Sequence, residues 1–370
     1  MSNVAPPRRS RRRRGAITAA WCLSLAAIAW LTSACASRPG SVPGKPGAGS
    51  APPAGGVEAG RDRAWPEPTL PATVRVRAGT AGAARIVTLP LDEYVLGAVR
   101  AEMLPSTLRA HPASRALDVQ AIVSRTYAIA NLRRHAADGY DLCDTTHCQV
   151  YRPPAAGEGP GDPAARAVST TRGQVLTFQG RVIQALFHAD CGGQTASAAS
   201  VWGGADAPYL ASVADWYCER QPASGWTYAA EEAAVIRALN ADPRTRIGRR
   251  LGRVEIASRA PTGRALAVML TGSTEIVVRA EVFRGVLTQA FGTRSLRSTW
   301  FDVARDGPRL RFSGVGFGHG VGLCQSGTLR RVEARQSPAE ILAHYFPGSR
   351  LQTALPPRGR PDVAERLFGR

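Results

Sequence analysis

The chain has 370 residues, of which 44% are hydrophobic and 20% charged, so its composition excludes a wholly disordered protein and allows one large or two ordinary domains. The formal net charge is +19, and of the 47 lysine and arginine residues only Lys45 is a lysine. The arginines are scattered without the interleaved aromatic residues of a base-stacking surface, so the sequence disfavours nucleic acid as a partner and stays compatible with an anionic polymer.

Residues 1–35 have the pattern of an export signal. A run of arginines from Arg8 to Arg14 precedes an apolar stretch, Ala16 to Leu31, that is short and alanine-rich for a membrane span. Leu31-Thr-Ser-Ala-Cys35 resembles a lipobox, although Thr32 stands where leucine is usual; ordinary cleavage and an uncleaved anchor are the alternatives. We predict a cell-envelope protein that is lipidated at Cys35, anchored in the membrane and facing the periplasm or cell wall.

Three further segments follow from composition. Proline, glycine, alanine and serine dominate residues 36–71, which cannot bury enough apolar surface to offset ordering and therefore form a tether. The folded domain is placed at residues 72–352, with an accessory insertion at about 226–292. Residues 353–370 are polar and form a loose tail.

The first predicted elements are two strands, Thr73 to Arg77 and Ala84 to Thr88, and a helix capped by Asp92 that ends near Glu102. A long second helix runs from Ser114 to about His135. One of its faces carries a polar row that needs partners, lines a cavity or meets solvent, namely Gln120, Ser124, Tyr127 and Asn131.

The remaining elements alternate between strands and helices. Gln179-Gly180 predicts a hairpin between Gln174 to Phe178 and Val182 to His188. In the insertion we expect two helices, Ala230 to Leu239 and Val282 to Ala290, around the strands Val254 to Ser258, Ala265 to Leu270 and Glu275 to Arg279. Ser337 begins the final helix as a capping box. The fold class is α+β, with mixed strands, helices that form a groove, and an inserted accessory α/β unit.

Cysteine and histidine are concentrated after the second helix, at His135, Cys143, His147 and Cys148. Two cysteines and two histidines suit a structural zinc site, but the spacing differs from a zinc finger and adjacent ligands at 147 and 148 are awkward. A Cys143–Cys148 disulfide is the alternative in an oxidising compartment. Cys191 and Cys218 could pair as well, and Cys324 is expected to be a small buried residue.

Five segments occur in the order typical of one family. They are Leu91-Asp-Glu-Tyr-Val-Leu-Gly-Ala-Val-Arg-Ala-Glu-Met103, Ala116-Leu-Asp-Val-Gln-Ala-Ile-Val-Ser-Arg-Thr-Tyr-Ala128, Phe187-His-Ala-Asp-Cys-Gly-Gly-Gln-Thr195, Gly318-His-Gly-Val-Gly-Leu-Cys-Gln-Ser-Gly327 and Ile341-Leu-Ala-His-Tyr-Phe-Pro-Gly348. Together they resemble the stage II sporulation protein D and amidase-enhancer family over roughly Thr73 to Leu351.

The resemblance implies a peptidoglycan lytic transglycosylase in which Glu102 is the catalytic acid. One carboxyl group suffices because the sugar's own 6-hydroxyl replaces water, whereas hydrolases generally need two carboxylates. The family's helix motif and the Gly-rich loop supply the expected glycan contacts, which are Gln120, Arg125, Thr126, Tyr127, His188, His319 and Gln325. The loop glycines should let the backbone approach a sugar.

Two other functions stay open at this point. The amidase-enhancer relatives suggest a wall-binding module that recruits or stimulates an amidase without cutting glycan. A cysteine peptidase built on His319 and Cys324 is the third hypothesis, and it is disfavoured because Cys–His pairs usually come from separate parts of a fold. No cofactor is required by the transglycosylase mechanism, and some family members are thought to carry zinc near the His135–Cys148 segment.

Overall fold

A computed structural model of the protein describes residues 67–79, 83–103, 115–153, 162–218 and 224–356. The predicted signal, Cys35, most of the tether and most of the tail lie outside these residues. Among the residues described, none of the helices has both the length and the apolar character needed to span a bilayer. Elements are numbered below in chain order within these residues.

The first region surrounds two helices. Strand β1 (Thr73–Ala78) pairs antiparallel with β2 (Arg85–Pro90) and parallel with β3 (Leu142–Cys143). Helix α1 (Leu91–Glu102) follows β2 directly and packs on α2 (Ala116–Ala130). Apolar side chains at a helical repeat drive this packing, so the core of the region is built from valine, leucine and tyrosine.

The predicted cap of α1 is wrong. Pro90 occupies the N-cap and makes no side-chain capping bond. The Asp92 carboxylate instead contacts two arginines, with Arg125 Nη2 at 3.3 Å and Arg172 Nε at 3.6 Å. Ionic contacts to α2 and to the turn that contains Arg172 have therefore replaced the local bond that the sequence suggested.

The second region contains the predicted hairpin, which is confirmed. β4 (Gln174–Phe178) and β5 (Arg181–Val182) pair around Gln179 and Gly180, whose φ angles of 50° and 75° match a tight hairpin turn. The second strand is shorter than expected, and a separate β6 (Phe187–His188) pairs parallel with β13 (Leu323–Cys324).

The C-terminal part closes this region. Strand β14 (Arg350–Thr353) adds to the other side of β4. Helices α4 (Ala198–Trp202), α7 (Gln325–Glu333) and α8 (Pro338–Tyr345) complete it, whereas α3 (Pro163–Thr170) packs on α1 and α2 and adds to the core of the first region. The predicted capping box of α8 is confirmed, because Ser337 and Glu340 exchange side-chain-to-backbone hydrogen bonds.

The accessory unit has its own core and is longer than predicted. One sheet contains β7 (Gly225–Glu231), β12 (Arg309–Val315) and β11 (Phe301–Asp306). The other contains β8 (Arg253–Arg259), β9 (Ala265–Thr271) and β10 (Glu275–Arg279), and the helices are α5 (Glu232–Ala241) and α6 (Ala280–Phe291). The rings of Phe283, Phe301 and Phe312 pack together, so the unit continues past residue 292 to about Val315. Helices and several small mixed sheets confirm the α+β class.

Candidate active site

Glu102 is the last residue of α1 and is half-buried. Burial raises the pKa of its carboxyl group from 4.5 to about 7, although a hydrogen bond of 2.6 Å from the Val150 backbone N–H to Oε1 opposes this rise. The carbonyl end of the helix dipole also disfavours a negative charge at this position. The pKa of Glu102 therefore lies close to neutral pH, as suits a group that acts as a general acid.

Two tyrosines accompany Glu102. Tyr94 precedes it by two helical turns on the same face of α1, and its ring stacks on Tyr151 with 5.5 Å between centroids. Burial, with a smaller contribution from the charge of Glu102, raises the pKa of Tyr127 to about 12 and that of Tyr94 well above its usual range. Both phenols thus remain hydrogen-bond donors. Tyr94 was not among the predicted site residues, although its spacing from Glu102 places both residues on one side of a helix.

Two of the predicted glycan contacts lie beside Glu102. The amide of Gln325 donates to Gln120 Oε1 at 3.2 Å and to the main-chain carbonyl of Glu102 at 3.5 Å. Gln120 in turn donates to Ser124 Oγ at 3.1 Å. This chain of amides connects α7 and α2 to the end of α1, and part of the predicted polar row thus bonds internally.

Arg125 and Thr126 require a correction, because they do not lie in a cleft wall. The fully buried guanidinium group of Arg125 donates to the carbonyls of Thr171 at 2.8 Å and Val168 at 3.2 Å. Thr126 donates to the Ile122 carbonyl and accepts from the Leu176 N–H. Both side chains hold α2 to its neighbours, which explains why polar residues tolerate such deep burial.

The two predicted histidine contacts form a separate aromatic group. His188 is buried with Nδ1 at 3.2 Å from the Val321 carbonyl, and its ring lies 5.6 Å from that of His319. His319 also lies 5.2 Å from the ring of Trp202, which is 45% exposed. Neither histidine has a hydrogen bond to Glu102 within the described part of the chain. Their contact with glycan stays a prediction. The exposed indole ring of Trp202 was not among the predicted site residues.

Packing within the protein explains several glycines of residues 314–327, and the expected approach of this backbone to a sugar stays a prediction. A Cβ atom on Gly322 would lie 2.2 Å from the Leu186 carbonyl oxygen, and one on Gly327 would lie 2.1 Å from Asp215 Oδ2. On Gly318 it would lie 2.8 Å from the Cβ of His188. Larger residues at these positions would therefore push apart neighbouring segments.

The Cys/His cluster formed by His135, Cys143, His147 and Cys148 converges on one point, with all four donor atoms within 4.8 Å of one another. Both cysteines are free thiols. His135 Nε2 lies 3.3 Å from Cys148 Sγ, and His147 Nδ1 lies 3.7 Å from both sulfur atoms. Zinc bonds of about 2.0–2.3 Å in a tetrahedron separate nitrogen and sulfur ligands by about 3.6 Å. The donors fit zinc, and neighbouring positions in the chain do not prevent His147 and Cys148 from converging.

Comparison with known proteins supports the resemblance. A family model described as stage II sporulation protein matches residues 80–178, which contain Glu102, α2 and the Cys/His cluster. The chain belongs to the stage II sporulation protein D family. A second model, a domain of unknown function (DUF8618), matches residues 220–322 and thus the accessory unit.

Three similar proteins come from Brachyspira and Bacillus. An uncharacterized protein of Brachyspira hyodysenteriae is 30% identical over 70% of the chain, and the alignment spans 66% of that relative. Stage II sporulation protein D of Bacillus subtilis is 27% identical over 73% of the chain and 76% of its own length. The amidase enhancer of Bacillus subtilis is 26% identical over 67% of the chain, but only 39% of that longer protein is covered.

Proposed function

We propose that this family member is a lytic transglycosylase that cleaves peptidoglycan glycan strands to 1,6-anhydro-muramyl products, with Glu102 as acid and base. The observation that carries the proposal is the half-buried position of the Glu102 carboxyl group at the end of α1, with the Val150 N–H 2.6 Å from Oε1. Burial there raises the pKa of Glu102 to about 7. Such a group can both give and take a proton near neutral pH.

In the first half of the reaction, the carboxyl O–H of Glu102 gives its proton to the glycosidic oxygen as the bond from that oxygen to the anomeric carbon breaks. The 6-hydroxyl of the same sugar then bonds to the anomeric carbon and returns a proton to the Glu102 carboxylate. The Val150 N–H stabilises the carboxylate between these steps. Glu102 regains its proton at the end of the cycle, so the reaction consumes no water and needs no second carboxylate.

The position of the nearest acids in sequence supports a single carboxyl group. Asp92 and Glu93 lie at the opposite end of α1 from Glu102. A helix rises 1.5 Å per residue, which puts them about 14–15 Å away along its axis. Hydrolases that use a carboxylate pair hold the two groups about 5–9.5 Å apart. Neither residue can therefore act as the second acid of a hydrolase.

The Cys/His cluster would hold a structural zinc ion in this proposal. Bound zinc would cross-link the segment between α2 and Val150 through two thiolates and two imidazoles. The chain's own contribution is to present the Val150 N–H to Glu102 from the end of that segment. We also propose export with a lipid anchor at Cys35, and a cell-wall amidase as a partner enzyme.

The test is digestion of purified peptidoglycan, intact and stripped of peptides, followed by mass spectrometry. We expect anhydro-muramyl ends with the wild type, a loss of at least 100-fold in Glu102→Gln, and normal products from the control Glu93→Gln. Reducing ends instead of anhydro ends would show a hydrolase. Binding without cleavage would favour the amidase-enhancer function, since one relative bears that name, and added amidase would then be stimulated.

A further inference from the structure

A second group of potential ligands lies far from Glu102 in sequence and is buried. The donor atoms of Cys191, Asp215, Cys218 and Cys324 lie within 4.8 Å of one another, and all four residues are buried. They come from the segment after β6, from the stretch that ends at residue 218, and from the end of β13. We call these four residues the buried cysteine cluster.

Its distances match ligands that share one ion. Cys324 Sγ lies 3.6 Å from Cys218 Sγ, and Cys191 Sγ lies 3.5 Å from Asp215 Oδ2. For zinc bonds of about 2.3 Å to sulfur and 2.0–2.2 Å to oxygen, a tetrahedron places two sulfurs about 3.8 Å apart and sulfur and oxygen about 3.6 Å apart. A disulfide would need sulfur atoms about 2.05 Å apart, and all three cysteines are free.

Backbone amides point at the sulfur atoms, as they do around metal-bound thiolates. Cys324 Sγ accepts from the N–H groups of Cys191 at 3.2 Å and Gly327 at 3.3 Å. Cys191 Sγ accepts from the Gly193 N–H at 3.4 Å. Hydrogen bonds from N–H groups stabilise a negative charge on sulfur, and partners of this kind orient metal ligands.

Two buried arginines supply the matching positive charge. Arg331 Nη2 lies 3.1 Å from Asp215 Oδ1, and Arg264 donates to the Cys191 carbonyl at 2.8 Å. Within the described residues, Nε and Nη1 of Arg264 lack a hydrogen-bond partner, while the nearby Glu281 pairs with Arg284. Three thiolates, one carboxylate and a divalent cation carry two excess negative charges. The two guanidinium groups balance these charges, whereas with neutral thiols Arg264 would have only Glu281 nearby, which already pairs with Arg284.

We propose that the buried cysteine cluster is a second metal site, which binds a thiophilic divalent cation of the zinc class. Its role is structural, because four buried ligands leave no open position for water or substrate. The ion joins three segments that are distant in sequence. Cys324 directly precedes Gln325, so the bound ion also fixes the start of α7 and the contact of Gln325 with Glu102. The site does not depend on the proposed transglycosylase activity.

Metal content of the full chain, purified without chelators or reductants, tests the proposal. We expect Cys218→Ser combined with Cys324→Ala to lower bound zinc by one equivalent relative to the wild type. The matched control His135→Ala with Cys148→Ser removes the Cys/His cluster and should leave that equivalent in place. If the control abolishes all bound zinc, or if peptide mapping finds a Cys191–Cys218 disulfide, the proposal is overturned.

A second measurement avoids changes in the core. The control variant, produced in cobalt-supplemented medium, should show the thiolate-to-cobalt charge-transfer and tetrahedral bands of a sulfur-rich site. Replacing Cys143 by serine in the same variant removes the remaining thiol of the Cys/His cluster and should leave the spectrum unchanged. A folded variant without these bands would contradict a metal site at the buried cysteine cluster.

Discussion

The surroundings of Glu102 disfavour a charged carboxylate, whereas those of Asp215 in the buried cysteine cluster stabilise one. Glu102 is half-buried, and burial disfavours its ionised form. Asp215 is fully buried, yet its carboxylate accepts from Arg331 and Tyr345 and contacts Cys191. The first arrangement keeps a proton available at a cost in stability, and the second stabilises a charge by surrounding it with donors. Changes in the first region should therefore alter chemistry, and changes in the second should alter folding.

The largest expected effect is on stability, in Asp215→Ala. Removing this carboxylate leaves the Arg331 guanidinium group and the Tyr345 hydroxyl without their buried acceptor. We expect the free energy of unfolding to fall by about 3–5 kcal/mol in urea titrations. Asp302→Ala is the control, because Asp302 pairs with Arg259 but its side chain is 82% exposed. Equal losses in the two variants would show that the buried carboxylate contributes no more to stability than an exposed one.

Arg125 was predicted from the sequence to contact glycan, but its side chain is fully buried in the interior. Arg125→Leu leaves the carbonyls of Val168 and Thr171 without this donor. We expect a loss of about 2–4 kcal/mol in unfolding free energy, with unchanged sedimentation of folded protein with peptidoglycan. Weaker binding to peptidoglycan with unchanged stability would show that Arg125 contacts the glycan.

Glu102→Gln should raise the free energy of unfolding, whereas the two substitutions above lower it. The folded protein raises the pKa of Glu102 from 4.5 to about 7, so it binds more protons than the unfolded chain between these pH values. Stability therefore falls as pH rises through this window and levels off above about 7. At about 1.4 kcal/mol per pKa unit the shift corresponds to at most about 3.5 kcal/mol, and the partial solvent exposure of Glu102 reduces the expected gain. The uncharged variant should therefore be more stable by about 2–3 kcal/mol at pH 8, and by nothing below pH 4. Urea titrations at both pH values check this, and a pH-independent difference would contradict it.

The smallest expected effect is in Gln325→Ala, which removes the amide that connects Gln120 with the end of α1. The loss of one hydrogen-bonding side chain, about 1 kcal/mol, should lower kcat/KM for glycan cleavage about fivefold. The control is Gln289→Ala, on the exposed face of α6. An unchanged kcat/KM in Gln325→Ala would show that Gln325 of α7 does not contribute to the active site.

Features determined by neighbouring residues were predictable. The hairpin at Gln179-Gly180 and the capping box at Ser337 depend on a few consecutive residues, and both are confirmed. The Cys/His cluster spans 14 positions from His135 to Cys148, and its donor atoms do converge. The ordered motifs identified the family because each is a local pattern.

Features that depend on how distant segments pack were not predictable. An aspartate near the start of a helix is a common cap, but in the folded protein Arg125 of α2 and Arg172 lie beside the Asp92 carboxylate and pair with it. Val150 binds Glu102 across 48 residues, and Cys191 donates to Cys324 across 133. Sequence alone determined the family, the α+β class and the acid to be tested. The tertiary structure decided which buried polar groups have partners and which, like Glu102, have a pKa raised by burial. Burial and long-range hydrogen bonds exist only once the elements have packed.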